Sequence, residues 1–193
     1  MSDQPSPLAE FREGLLELAP ALIAAAPIAL LYGAVATSKG LSPLETTLSS
    51  AMIFAGGAQL AAIELWRQPV PVAALILSTF LINARYILMS ASIAPKVAHL
   101  PLGGRLLFFH ALADENWALA ERRASTRRIS GAYFFGMAGI FWINWVLATY
   151  LGTLVGPLLL VGPDLGRVTF ESRARPRAQD FPSNRPCLRP AAP

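Results

Sequence analysis

In the stretch LSTFLINARYILMS, Leu77 to Ser90, one residue can do chemistry that its neighbours cannot: Arg85 is the sole formal charge between Val70 and Pro95. A guanidinium offers N–H donors in a rigid fork that matches a carboxylate. In an apolar setting it neutralises the carboxylate of a bound solute, borders the path of a coupling ion, or pairs with an acidic side chain that holds helices together. Its own segment is polar on two sides. Ser78, Arg85 and Ser92 recur at seven-residue spacing, and Thr79, Asn83, Tyr86 and Ser90 form a second face, an arrangement that leaves little surface for lipid.

Three further constellations carry possible chemistry. In AMIFAGGAQLAAIEL, Gly56 and Gly57 adjoin Gln59. Adjacent glycines either pack against another helix, together with Ala51, Ala55, Ala58 and Ala62, or open the backbone so that its amides face a ligand. In HALADENWALA, His110 and Asp114 are four residues apart and share a face if the helix is unbroken, with Glu115 alongside; they read as a proton relay or as solvated acids at a membrane surface. Trp142, Asn144 and Trp145 fall near the centre of an apolar run, where Asn144 needs a hydrogen-bond partner on another helix. His99 and His110 have no cysteine nearby and give no metal site. Nucleotide loops, nucleophile elbows and zinc signatures are absent from the sequence, so neither an enzyme nor a cofactor is expected.

The elements that must position these residues are membrane helices. Hydrophobic residues make up 54% of the 193-residue chain and charged residues 15%, against about 25% charged in a soluble domain. Charge-free runs cover Leu18 to Ser38, Thr46 to Ile63 and Ile129 to Pro163, each near or above the ~20 residues that a spanning helix needs. The first helix is expected over about Leu15 to Ser38, with Pro27 kinking it. Ser42, Pro43 and Glu45 form a capping box that starts a second helix running to about Trp66, antiparallel to the first. A third runs to Ala94. The segment from Leu102 to Ala120 is a short polar membrane helix, a re-entrant piece or an interfacial helix. A fifth covers about Gly131 to Leu151, and Gly152, Gly156 and Pro157 break it from the start of a sixth. The expectation is an all-α integral membrane bundle of about five to six membrane segments over residues 1–166.

The formal charge of +4 resides in residues 167–193, where six arginines face Glu171 and Asp180. Proline-rich and without apolar periodicity, this tail reads as a disordered appendage and not as a nucleic-acid arm. The single cysteine, Cys187, excludes a disulfide within the chain. The cluster Arg122 to Arg128 is cytoplasmic by the positive-inside rule, while the side of the N-terminus depends on whether residues 103–120 cross.

Taken in order after a proline-containing first helix, FAGGAQLAAIEL, TFLINARYILMSASIAP and HALADENWALA resemble the AzlC family of branched-chain amino acid permeases, over about residues 11 to 166. That resemblance implies a bacterial inner-membrane exporter of branched-chain amino acids and analogues that works with a small four-helix AzlD-type subunit. It marks Gly56, Gly57, Gln59, Asn83, Arg85, Asp114 and Glu115 as pathway residues. Family members continue with further apolar helices where this chain turns to arginine and proline, so a reading-frame change or truncation near Arg167 is expected. The alternative function is a membrane subunit that only assembles with a partner.

Overall fold

A computed structural model describes residues 6–67 and 69–160. The domain boundary at 166, the tail and Cys187 lie outside the described residues. Those described are helical, without a strand among them.

The frame is made by the first and last helices. α1, Pro7–Ser38, begins eight residues before the expected start because Ser6 accepts from the Ala9 amide and Pro7 occupies the first turn. α8, Gly131–Phe134, continues through a π-turn at Phe135–Gly139 into α9, Ile140–Leu160. The expected break at Gly152, Gly156 and Pro157 does not occur: the helix passes straight through them. The glycines serve close approach instead. A Cβ on Gly152 would lie 2.2 Å from the Leu30 carbonyl oxygen, and one on Gly33 2.1 Å from that of Thr149. Gly14 meets Tyr133 and Gly136 meets Phe11 in the same way, so α1 and α9 run parallel with their backbones nearly touching. Asn144 donates to the Leu22 carbonyl of α1 at 3.2 Å, as its mid-membrane position requires.

Residues 43–65 do not span. α2, Pro43–Ile53, starts on the expected capping box and descends along α9, with Ser50 Oγ 3.0 Å from Thr149 Oγ1 and Phe54 edge-on to Phe141. At Phe54 the backbone turns left-handed, φ 37°, an outlier for a bulky residue. α3, Gly56–Leu65, then climbs back: Ile63 packs with Tyr32 and Ala36, and Trp66 joins that cluster beside Leu41. The pair is therefore a hairpin whose arms both open at the Lys39 end. Its tip orphans the last carbonyls of α2, and Trp142 Nε1 donates to one of them, Ala51 O, at 3.0 Å.

α4, Val72–Asn83, and α5, Arg85–Ile93, form one rod with a single irregular residue at Ala84, extended by a 3₁₀ turn at Ala94–Val97. The expectation that this helix lacks lipid-facing surface is corrected. α4 has no buried residue, and Ile76, Leu77, Phe80, Leu81, Ile87 and Leu88 are all exposed. Its polar residues occupy a narrower stripe than the spacing suggested.

The segment from Leu102 is re-entrant. α6, Leu102–His110, enters from the Glu10 end, where Leu100 touches Gly131 and His99 contacts the Ile129 carbonyl. It breaks at buried Ala111, Leu112 and Ala113, and α7, Asp114–Ala124, returns to the same end. His110 and Asp114 thus belong to different helices and share no face, which removes the geometric basis of the relay. Three helices are long and apolar enough to cross a membrane, Pro7–Ser38, Val72–Val97 and Gly131–Gly156. Neither hairpin contains a helix of that length.

The hairpins are related by inverted topology. Each follows a spanning helix, but from opposite ends of the bundle. Their proline entries, Pro43 and Pro101, and the N-caps of their returning arms, Ala55 and Ala113, are separated by the same 58 residues.

Candidate functional site

The two tips face the same interior space. Between them and the α1 stretch Pro20 to Ile28 lies a cavity of about 620 Å³, within the range of small-molecule sites. Its polar edge is made by Gly56, Gly57, Arg85, Tyr86, Asp114 and Glu115; its apolar wall includes Ala21, Ala24, Ile28, Leu60, Phe141 and Trp145.

Each polar group is positioned by a local feature. Arg85 opens α5 directly after the Ala84 irregularity and reaches Asp114, Nη1 to Oδ2 2.6 Å, with its guanidinium 5.2 Å from the Tyr86 ring centre. The side chains of this pair are 43% and 48% accessible, so the bridge lines open space and is not sealed in packing. Asp114 and Glu115 occupy the first turn of α7, where the helix dipole favours acidic groups. Asn116, fully buried, clasps that tip. Its Oδ1 accepts from the Ala113 amide at 2.9 Å and its Nδ2 donates to Ala111 O at 2.7 Å.

Across the cavity α3 begins with no side-chain cap, and its first helical bond is Gln59 N to Ala55 O. The amides of Gly56, Gly57 and Ala58 therefore have no intrahelical acceptor, which gives this end partial positive charge. The Arg85 guanidinium lies 3.9 Å from where a Gly57 Cβ would be. Gly56 is covered by the Trp145 ring, which would clash with a Cβ at 2.5 Å. Glycines next to the tip thus serve both ring packing and backbone exposure. The site offers cationic and anionic groups a few ångströms apart, against an apolar wall.

Among the residues singled out from sequence, Gly56, Gly57, Arg85, Asp114 and Glu115 converge here. Gln59 is buried and accepts from Trp145 Nε1 at 3.0 Å, but it lines a second cavity on the Lys39 side. Asn83 lies apart, in a shallow groove with Leu75, Thr79, Phe80 and Ile87, and its Oδ1 has no protein partner. No cluster of metal-ligating side chains occurs among the described residues. Asn116 and Phe54 escaped the sequence reading. For Asn116 a signal existed, since it stands three residues after the cap as in a capping box.

The Glu10 end is closed by ion pairs. Arg123, 4% accessible, pairs with Glu10 and, at 3.1 Å, with Glu13, and stacks 3.8 Å over the Tyr133 ring. Arg122 reaches Glu17 at 3.1 Å and Arg127 reaches Glu13. Ser130 and Tyr133 donate to Glu10 and Glu17 at 2.5 and 2.6 Å.

Comparison with known proteins places these features. The family model described as "AzlC protein" matches residues 20–159. An uncharacterized membrane protein of Archaeoglobus fulgidus is 34% identical over 161 residues, covering 81% of this chain and 68% of that protein. The inner membrane protein YgaZ of Escherichia coli K12 is 30% identical over 163 residues, covering 82% and 66%. The chain thus spans about two thirds of the length of these curated relatives. No solved structure matches it. With the match extending from within α1 through both hairpins to the end of α9, the chain belongs to the AzlC family of membrane proteins.

Proposed function

We propose that this protein exports branched-chain amino acids through the central cavity. The observation that carries the reading is the meeting of Arg85, Asp114 and the uncapped start of α3 at the hairpin tips. A zwitterion places its carboxylate between the Arg85 guanidinium and the Gly56 and Gly57 amides, and its ammonium on Asp114 or Glu115. The wall of Ala21, Ala24, Ile28, Leu60 and Phe141 receives an aliphatic side chain and offers a longer polar one no partner.

Orientation follows from the hairpins. Arg12, Lys96, Arg105, Arg122, Arg123, Arg127 and Arg128 lie at the Glu10 end, while among the described residues only Lys39 and Arg67 lie at the other. Seven against two supports a cytoplasmic N-terminus for a protein of the bacterial inner membrane. The closed cytoplasmic end and the cavity on the Lys39 side then fit an outward-facing state. The exposed α4 face is a surface for a small AzlD-type subunit, and Asp114 or Glu115 is the acidic coupling group.

The test is efflux of preloaded radiolabelled leucine from proteoliposomes containing the chain, with and without the small subunit. Export that is lost in Arg85→Ala at unchanged membrane content supports the reading. Unchanged export in Arg85→Ala removes the central cavity from the path, and no export with either subunit composition favours an assembly role.

A further inference from the structure

A second cavity, about 630 Å³, lies between the splayed arms of the α2–α3 hairpin and opens at the Lys39 end. Its lining is mostly apolar, with polar groups at defined points. Tyr32 Oη and Ser49 Oγ are joined at 2.9 Å along its side, Thr79 borders it from α4, and Lys39 and Glu45 put opposite charges at its mouth. Its floor is Gln59, 3% exposed, whose Oε1 accepts from Trp145 Nε1 and whose Nε2, beside the Tyr32 hydroxyl, makes no hydrogen bond of good geometry. A buried amide donor without a well-placed acceptor is disfavoured, and it marks where an acceptor belongs. Above it, Leu41, Ala62, Ile63 and Trp66 form an apolar wall.

We propose that this cavity is a second amino acid subsite, outward of the central one. The solute's carboxylate takes the Gln59 Nε2 donor and the Tyr32 hydroxyl, which turns to it from Ser49 Oγ while Ser49 keeps its own proton on Thr46 O, and its side chain packs on Trp66 and Ile63. The proposal rests on the transport reading above. Gln59 and Trp145 stand between the subsites, since Trp145 lines the central cavity and Gln59 the outer one. The carboxylate takes the Gln59 Nε2 donor while Trp145 Nε1 keeps its bond to Oε1, so the outer subsite fills without displacing the central tryptophan.

Each cavity contains its own tryptophan, Trp66 outside and Trp145 at the centre, so occupancy is readable site by site. The experiment is ¹⁹F NMR of the full chain carrying 5-fluorotryptophan, in nanodiscs, titrated with leucine, with resonances assigned by replacing each tryptophan in turn. The expected result is that Trp66 and Trp145 signals both shift, with different midpoints. Arg85→Ala abolishes the Trp145 shift and leaves that of Trp66. Ala62→Phe, which fills the outer cavity, does the reverse, and Thr79→Phe fills it from α4 should the first variant not fold. A Trp66 signal that stays still while Trp145 moves overturns the outer subsite and leaves the central reading standing. A Trp66 shift that tracks Trp145 and vanishes with Arg85→Ala also overturns it. If neither signal responds to leucine, both readings fall.

Discussion

Exchanging the two central charges, Arg85→Asp with Asp114→Arg, distinguishes a bond that holds helices from a site that holds a solute. The bridge is short, 2.6 Å, but its side chains are 43% and 48% accessible. Breaking a fully buried pair costs about 3–5 kcal/mol, whereas an exposed pair contributes about 0.2–1 kcal/mol. With nearly half of each side chain facing the cavity, the folding cost of either single replacement by alanine belongs at the lower end, about 1 kcal/mol. Membrane content should fall little. Loss of one charge-assisted hydrogen bond to the solute costs about 1.5–3 kcal/mol, which is roughly a 10- to 150-fold rise in half-saturating leucine at about 1.4 kcal/mol per decade. The exchanged protein keeps an ion pair but puts a carboxylate beside the free amides of α3, where the solute's own carboxylate should go. It should therefore insert and accumulate like the wild type while leucine efflux stays at least tenfold down, measured on proteoliposomes of matched protein content. Recovery of wild-type efflux by the exchange would refute the argument and make the pair a strut.

Arg123→Ala breaks the buried pairing with Glu10 and should cost about 3–5 kcal/mol, read as a lower unfolding midpoint in detergent. Gly152→Leu drives a side chain into the α1 backbone and should cost about 1–3 kcal/mol or more, while Gly139→Ala, with nothing within 4 Å, is the neutral control in the same assay. Hydrogen bonds from Ser42 backbone and side chain hold the Glu45 carboxyl below its ordinary range. A depressed folded value means that the α2 cap is intact above the ordinary glutamate value and is lost as pH falls through the folded one. Amide exchange at the start of α2 should accelerate across that acidic window, and Glu45→Gln should remove the dependence.

What the sequence made legible was chemistry more than direction. A lone arginine in an apolar run demands a partner, and Asp114 is there. The capping box at Ser42 was readable because its residues act locally. The α2–α3 hairpin was not, because hydropathy records whether a residue tolerates lipid and not which way the chain is heading. Twenty-odd apolar residues fit one crossing or two half-crossings equally well. The turn itself falls on Phe54, a residue without turn propensity, held left-handed by its ring packing against Phe141. Gly152 and Gly156 misled for a related reason. Glycine both ends helices and lets them touch, and only the neighbouring α1 backbone decides between the two.

The frame of α1 and α9 also dictates an order of assembly. The contact from Asn144 to Leu22 joins positions 122 residues apart, so α1 finds its mate only when α9 emerges from the ribosome. Until then both half-crossing arms sit in lipid with unpaired peptide groups, which hydrocarbon does not tolerate. Biogenesis of this chain should accordingly depend on retention at the insertion machinery until α9 arrives, and slowing synthesis just before α9 should expose the nascent chain to membrane proteolysis.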